Sequence, residues 1–165
     1  MRNNKGINLV ALIIMIIVMI MIAAIAINVS MDSYENSLEA KAAAERQQVT
    51  IAISSRFGDH QRNSTANPLV GLMILEEKLD TEQSTIDYLC DKFKNEYGKL
   101  MTDDELANST QRISIEHFVY DNFEDMKYTR ILLYTDLLEL GIENTNMNAV
   151  YLVNYYSNDV VGPIS

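Results

Sequence analysis

The sequence has almost no cysteine. Its 165 residues include one, Cys90. A single cysteine excludes an intrachain disulfide, and we expect Cys90 to be a small apolar residue of the core. Stability must therefore come from packing, for which the chain is long enough to bury one modest core.

The sequence is also short of positive charge. It contains 13 Lys and Arg against 23 Asp and Glu, and its formal net charge is −10. Two of the basic residues, Arg2 and Lys5, precede a long apolar run, and no acidic residue does. The chain beyond that run therefore has a net charge of about −12, and such a surface repels phosphate backbones. We expect no nucleic-acid partner.

Motifs that carry chemistry are missing as well. The sequence contains no Gly-rich phosphate loop, no closely spaced pair of metal ligands and no serine or cysteine nucleophile motif. Its two histidines, His60 and His117, are far apart. The stretch Asp121–Asp125 has side-chain oxygens of the kind that Ca²⁺ prefers, but such a run more often forms a solvated loop, and calcium binding stays open. We predict that the chain is not an enzyme and carries no cofactor.

Charge is absent from residues 7–27, where 20 of 21 residues are apolar and Asn8 is the exception. At about 1.5 Å per residue a helix of this length spans about 31 Å, the thickness of a hydrocarbon core. Basic residues precede the run and acidic residues follow it, which places the N-terminus in the cytoplasm. We predict a transmembrane helix over 7–29 and an extracytoplasmic C-terminal domain. Such a domain without disulfides favours a bacterium with a single membrane.

Three fates are open to the apolar run. A secretory signal would be removed, and Ala24-Ile25-Ala26 offers an A-x-A cleavage pattern, although the run is longer than such signals usually are. An uncleaved anchor would need no processing. A cut on the cytoplasmic side, between Gly6 and Ile7, would remove the leader 1–6 and keep the helix.

Residues 5–12 read Lys-Gly-Ile-Asn-Leu-Val-Ala-Leu. This stretch resembles the class III signal of type IV pilins and pseudopilins, in which a prepilin peptidase cuts after the glycine, methylates the new N-terminus and leaves the helix intact. The resemblance implies that Gly6 and Ile7 flank the cut and that Arg2 and Lys5 provide the positive charge of the leader.

The same resemblance implies that the anchor and filament helix begins with Leu9, Val10, Ala11 and Leu12. The sequence departs from the family at Ala11, where a glutamate usually neutralises the N-terminal amine of a neighbouring subunit. Pilin-like proteins of clostridia and related Gram-positive bacteria have similar sequences, and the alanine favours a minor or specialised subunit.

The implied function is a structural subunit of a type IV pilus-like or pseudopilus filament, for secretion or competence, at the cell surface. The implied partners are the membrane, the prepilin peptidase and other pilin-like subunits, of the same or another kind. The alternative is a single-pass, membrane-anchored binding module that is not processed.

Residues 30–57 lack proline and glycine and are rich in helix formers. Apolar side chains recur at spacings of four and seven in one narrow stripe: Leu38, Ala42, Val49, Ile53 and Phe57. We predict an amphipathic continuation of the N-terminal helix over 30–57, ended by Gly58. The polar residues 58–68 then predict a hydrogen-bonded loop that contains His60.

The remaining globular domain, 58–165, predicts an α+β fold. After a cap at Asp80 or Thr81, one helix has an apolar stripe at Ile86, Leu89, Cys90, Phe93 and Tyr97. Residues 113–120 favour a strand, as do 128–135, and a turn-like segment follows. The C-terminal segment 149–164 predicts a hairpin that turns at 157–159. A long N-terminal helix, further helices and a C-terminal antiparallel sheet make up a pilin-like arrangement.

Overall fold

The computed structural model describes residues 5–74, 80–95, 110–143 and 147–164, with side chains described from 12 to 23 and from 33 onward. The chain divides into two compact units, Met1–Lys41 and Ala42–Ser165. The helices and strands of the described ranges are, in order, α1 (Lys5–Arg62), β1 (Leu72–Met73), α2 (Glu82–Asn95), α3 (Thr110–Asn122), a 3₁₀ helix (Phe123–Tyr128), β2 (Thr129–Leu132), α4 (Tyr134–Glu139), β3 (Val150–Asn154) and β4 (Val160–Ile164). The fold is therefore α+β with a long helix near the N-terminus.

Helix α1 continues past its predicted end at Phe57 and stops at Arg62. Gly58 does not end it, because this glycine has no left-handed backbone conformation and an added Cβ would meet nothing within 4 Å. Beyond Arg62, two asparagine side chains hold the turn that follows the helix, one to the last turn of α1 and one within the turn itself. Asn67 Nδ2 lies 3.4 Å from the Asp59 carbonyl oxygen, and Asn63 Oδ1 accepts the Ala66 N–H at 3.2 Å.

In the first unit, the described side chains of α1 from Leu12 to Ile22 are all exposed. Within the described part of the chain, no helix is both long and apolar enough to cross a membrane. The predicted span 7–29 includes residues 7–11 and 24–29, whose side chains lie outside the described set. The transmembrane helix therefore stays a prediction.

Helix α2 buries the predicted stripe at Ile86, Leu89, Cys90 and Phe93, while Tyr97 lies outside the described residues. Thr81 caps the helix, since its Oγ1 accepts the Ser84 N–H at 3.1 Å. The stripe of α2 packs on α3 in one hydrophobic cluster. This part of the sequence-based interpretation is confirmed.

The strand predicted over 113–120 is wrong, because these residues belong to helix α3. Ile115, Phe118 and Val119 are buried at the i, i+3, i+4 spacing of a helix face. An i,i+4 pair supports the helix on its outer side, where Arg112 Nε lies 2.8 Å from a Glu116 carboxylate oxygen.

The second unit contains a four-stranded antiparallel sheet in the order β1-β2-β3-β4. The hairpin predicted over 149–164 is confirmed as β3 and β4, and Val153 pairs with Val160 beside the turn. The segment predicted as a strand over 128–135 is one only at Thr129–Leu132. Helix α4 begins inside the predicted strand, at Tyr134, and continues into the turn-like segment as far as Glu139.

Strand β3 is buried on both faces. Val150 and Leu152 belong to the hydrophobic cluster of α2 and α3. Tyr151 and Val153 belong to a second cluster, with Val49, Ile53 and Leu137 from α1 and α4. Because side chains alternate along a strand, the sheet separates two cores. The second core holds the α1 residues 49–57 against the sheet.

Candidate functional site

The residues predicted to direct processing lie at the start of the chain. Arg2 is outside the described residues, whereas Lys5, Gly6 and Ile7 lie in the first turn of α1, with side chains outside the described set. The same holds for the side chains of Leu9, Val10 and Ala11. Leu12 is described, and its side chain is exposed. The roles of these residues in processing and assembly therefore stay predictions.

The segment Leu12–Ile22 of α1 presents large apolar side chains on every side. Each of these consecutive residues is between 46% and 63% exposed. At 3.6 residues per turn the segment makes three turns, so no side of it is polar. Apolar surface of this extent is unfavourable in water. Its chemistry fits contact with lipid or with other apolar helices.

A groove of about 590 Å³ lies in the second unit, between α1 and the segment 139–143 that follows α4. Its α1 wall consists of residues on one side of the helix: Gln48, Ile51, Ala52, Ser55, Arg56 and Asp59. The opposite wall is Glu139–Glu143. This volume is within the range of about 300–1,000 Å³ that is typical of binding clefts.

The groove has an apolar part. Ile51 is 64% exposed, and Leu140 and Ile142 line the opposite wall. Ile51 lies about 200° around the helix from Val49, which is fully buried. The helix therefore has apolar residues on two sides, one that packs in the core and one that faces the groove. An exposed isoleucine in this position can contact an apolar side chain of a ligand or partner.

The charges of the groove are mostly negative. The Arg56 guanidinium is already hydrogen-bonded within the second unit. Its Nε donates to the Pro68 carbonyl oxygen at 3.0 Å, and its Nη2 donates to the Glu139 carboxylate at 3.2 Å. Asp59 is paired with Arg62 at 3.3 Å. Glu143 is exposed and has no hydrogen-bond or ion-pair partner among the described residues. The groove can therefore accept a side chain that ends in a cation.

Four rings pack beside the end of α1: Phe57, His60, Tyr128 and Tyr156. Tyr128 and Tyr156 are stacked with their centroids 5.6 Å apart, and the Phe57 ring meets Tyr128 edge-on at 5.4 Å. His60 stacks on Phe57 at 6.4 Å, and its Nδ1 lies 2.8 Å from the Asn67 carbonyl oxygen. Nδ1 therefore donates the hydrogen. The predicted hydrogen bonding of His60 is confirmed, but this residue lies in α1 and not in a loop.

The possible calcium ligands at Asp121–Asp125 also lie in helical structure, at the end of α3 and in the 3₁₀ helix. The Asn122 side chain is buried and donates to the Asp159 carboxylate at 2.9 Å and to the Phe118 carbonyl oxygen at 2.8 Å. In the described ranges, no group of three or more His, Cys, Asp or Glu is placed to hold a metal ion. The Asn122 side chain therefore stabilises the turn between β3 and β4, to which Asp159 belongs.

Two tyrosines of β3 and the residue after it fix neighbouring segments. Tyr151 Oη donates to Glu45 at 3.1 Å, and Tyr155 Oη donates to the Val70 carbonyl oxygen at 3.0 Å. Burial raises the pKa of both hydroxyls, that of Tyr155 from 10.0 to about 12. Folding therefore favours the protonated form of each.

This shift of the Tyr155 pKa predicts alkaline sensitivity. The stabilisation of neutral Tyr155 is fully present below pH 10 and is lost as the pH rises towards 12. We expect Tyr155→Phe to lower stability by about 0.5–1.5 kcal/mol at neutral pH, because one hydrogen bond is lost. We also expect the variant to lose less of its remaining stability between pH 10 and 12. Thermal unfolding of the full chain in detergent measures both effects.

The matched control is the adjacent tyrosine. Tyr156 is exposed, and Tyr156→Phe should leave the alkaline dependence of the melting temperature as it is in the parent. A Tyr155→Phe variant with the same alkaline slope as the parent would show that Tyr155 does not contribute to that dependence.

The groove was not predicted from the sequence. Ile51 was the one local indication of a second apolar surface on α1, because it is an apolar residue outside the predicted stripe of this helix. Leu140 and Glu143 gave no local signal, since only the fold brings them opposite α1. Leu38 was assigned to the buried stripe but is exposed.

Comparisons of the chain with protein-family models, with curated proteins and with solved structures each found no match.

Proposed function

We propose that the chain is a structural subunit of a type IV pilus-like or pseudopilus filament, cut by a prepilin peptidase after Gly6 and anchored in the membrane before assembly. The observation that supports this proposal most strongly is the exposed apolar segment Leu12–Ile22. In the membrane, lipid covers such a segment. In a filament, other helices of the same kind cover it.

The sequence before this segment supports the proposal. Lys5-Gly6 and the residues that follow resemble a class III signal, and a cut there keeps the apolar helix in the mature chain. The charge distribution supports it too, because basic residues precede the run and the acidic domain follows it. We also propose, as part of this function, that the α+β domain is a pilin-like domain.

Ala11 points to the kind of subunit. A pilin with glutamate at this position supplies a carboxylate for a neighbour's N-terminal amine, and alanine cannot do so. We therefore propose a minor or specialised subunit that assembles with other pilin-like chains.

Shear fractionation tests the proposal. In cells with a prepilin peptidase and an assembly machine, we expect the chain both in the membrane and in the material that mechanical shear releases. Ile16→Asp should reduce the amount in the sheared fraction at least about tenfold, because a charge at the centre of a membrane helix costs about 2.5–3.5 kcal/mol. Quantitative mass spectrometry of the two fractions measures the effect.

Asn36→Asp is the control, because it adds the same charge at an exposed α1 residue outside the apolar run. This variant should be released like the parent. A parent chain that stays in the membrane under all shear conditions would contradict the filament and favour the anchored binding module.

A further inference from the structure

The groove between α1 and the segment 139–143 combines an apolar surface with a negative charge. Ile51 is 64% exposed, and between Ala42 and Arg62 it is the one large apolar side chain of α1 that is exposed. Leu140 and the exposed Glu143 lie on the opposite wall. A ligand that fills the groove must therefore offer both an apolar side chain and a positive charge.

The carboxylates of the groove differ in the charge that they offer to a ligand. Glu139 is paired with Arg56 at 3.2 Å, and Asp59 is paired with Arg62 at 3.3 Å, so each of these pairs is neutral. Glu143 has no hydrogen-bond or ion-pair partner among the described residues. The Glu143 carboxylate is therefore the charge that remains to be matched by a ligand.

The charge of the whole chain decides between the possible occupants. The chain has a formal net charge of −10, so a second copy is repelled from an acidic groove. A basic segment of another protein is attracted by the same field, which also speeds its association. Charge complementarity therefore favours a basic partner over a second copy of the chain.

We infer that the groove binds a segment of another protein in which an apolar side chain lies next to a lysine or arginine. The apolar side chain packs between Ile51 and Leu140, and the cation pairs with Glu143. The volume of about 590 Å³ has room for several side chains, and Gln48 and Ser55 beside Ile51 are uncharged.

This inference goes beyond the proposed function, because it gives the second unit a partner of its own. It holds for a filament subunit and for an anchored binding module alike, since it depends only on residues of the second unit. It names a contact that is separate from the apolar segment Leu12–Ile22.

A synthetic peptide tests the inference. The probe is a fluorescently labelled peptide with the sequence Ser-Lys-Leu-Leu-Lys-Ser, and fluorescence anisotropy measures its binding to the full chain in an uncharged detergent. We expect saturable binding that weakens as the salt concentration rises. Peptides with glutamate in place of both lysines, or with serine in place of both leucines, should bind at least about tenfold more weakly, because each loses one kind of contact.

Two variants of the chain locate the binding site. Glu143→Lys should weaken binding of the lysine peptide at least about tenfold, and Ile51→Ser at least about fivefold. The matched controls are Glu124→Lys and Ile113→Ser, which make the same changes at exposed residues outside the groove. Both controls should bind the peptide as the parent does.

A charge exchange separates the contact from misfolding. Glu143→Lys should bind the glutamate peptide more tightly than the parent does, and a misfolded variant does not gain an affinity in this way. Equal losses in Glu143→Lys and Glu124→Lys would show that the net charge alone attracts the peptide. That result would overturn the inference.

Cross-linking tests a second copy as the occupant. In membranes, Ile51→Cys should form no more disulfide-linked dimer than Ile113→Cys under the same oxidising conditions. Cys90 does not interfere, since it is 3% exposed. A larger yield from Ile51→Cys would show that a second copy covers the groove, and it would overturn the basic partner.

The proposed function is measured separately, from the cut after Gly6 and from release by shear. If both occur but the peptide does not bind, the inference fails and the proposed function stands. If the peptide binds to a chain that is neither cut nor released, the inference stands and the proposed function fails.

Discussion

Gly6→Val is expected to leave the leader on the chain. In a class III signal the residue before the cut must be very small, and a branched side chain at this position blocks the peptidase. In cells with a prepilin peptidase, the parent should lose residues 1–6 and gain one N-terminal methyl group. The variant should keep residues 1–6 and gain no methyl group. Intact-mass spectrometry of the detergent-extracted protein distinguishes the two.

Asn4→Val is the control for this substitution. It adds the same side chain to the leader but leaves Gly6 in place, so the cut should still occur. Processing of Gly6→Val at the rate of the parent would contradict the assignment of Gly6. Equal failure of both variants would show that the leader as a whole, and not Gly6, determines the cut.

Gly71→Ala is expected to lower the stability of the second unit strongly. Gly71 has a φ of +102°, and an added Cβ would lie 2.6 Å from Leu132 Cδ2 and 2.9 Å from the Ile131 carbonyl oxygen. The backbone conformation costs about 1–2 kcal/mol for an L-residue, and overpacking costs about 1–3 kcal/mol. We expect a loss of about 2–5 kcal/mol in the free energy of unfolding.

Gly58→Ala is the matched control, and we expect it to change the stability in the opposite direction. Gly58 lies inside α1 with open space around it, so alanine should stabilise the chain by about 0.5–1 kcal/mol. Thermal unfolding of the full chain in detergent, followed by near-ultraviolet circular dichroism of the tyrosines, measures both variants. A Gly71→Ala variant as stable as the parent would contradict the close approach of Gly71 to β2.

The sequence predicts those elements whose patterns are local. Helix α2 could be identified because its apolar residues repeat with the period of a helix and Thr81 provides a cap. The hairpin of β3 and β4 could be identified because branched and aromatic residues flank the turn at 157–159. In both cases the residues that determine the element are close together in the sequence.

Helix α3 was misread because its branched and aromatic residues favour strands. Ile115, Phe118 and Val119 have helical spacing, but Ile113 and Tyr120 lie outside this face and are exposed. The packing of α3 on α2 overrides the local preference. This contribution to the stability of α3 comes from tertiary packing, which a local sequence pattern does not show.

The end of α1 and the groove were missed for different reasons. Gly58 is a common helix terminator, but the asparagines of the following turn place the end at Arg62. The groove depends on contacts between distant segments of the chain, such as Arg56 with Glu139, which are 83 residues apart. No local pattern encodes such a pair.

The central claim is that the apolar helix remains in the finished chain after a cut on its cytoplasmic side. The most direct test is to determine the N-terminal residue of the chain from cells with a prepilin peptidase. We expect Ile7 with a methylated amine. A chain that begins at Met1, or one that begins at Ile27 without the apolar run, would contradict it.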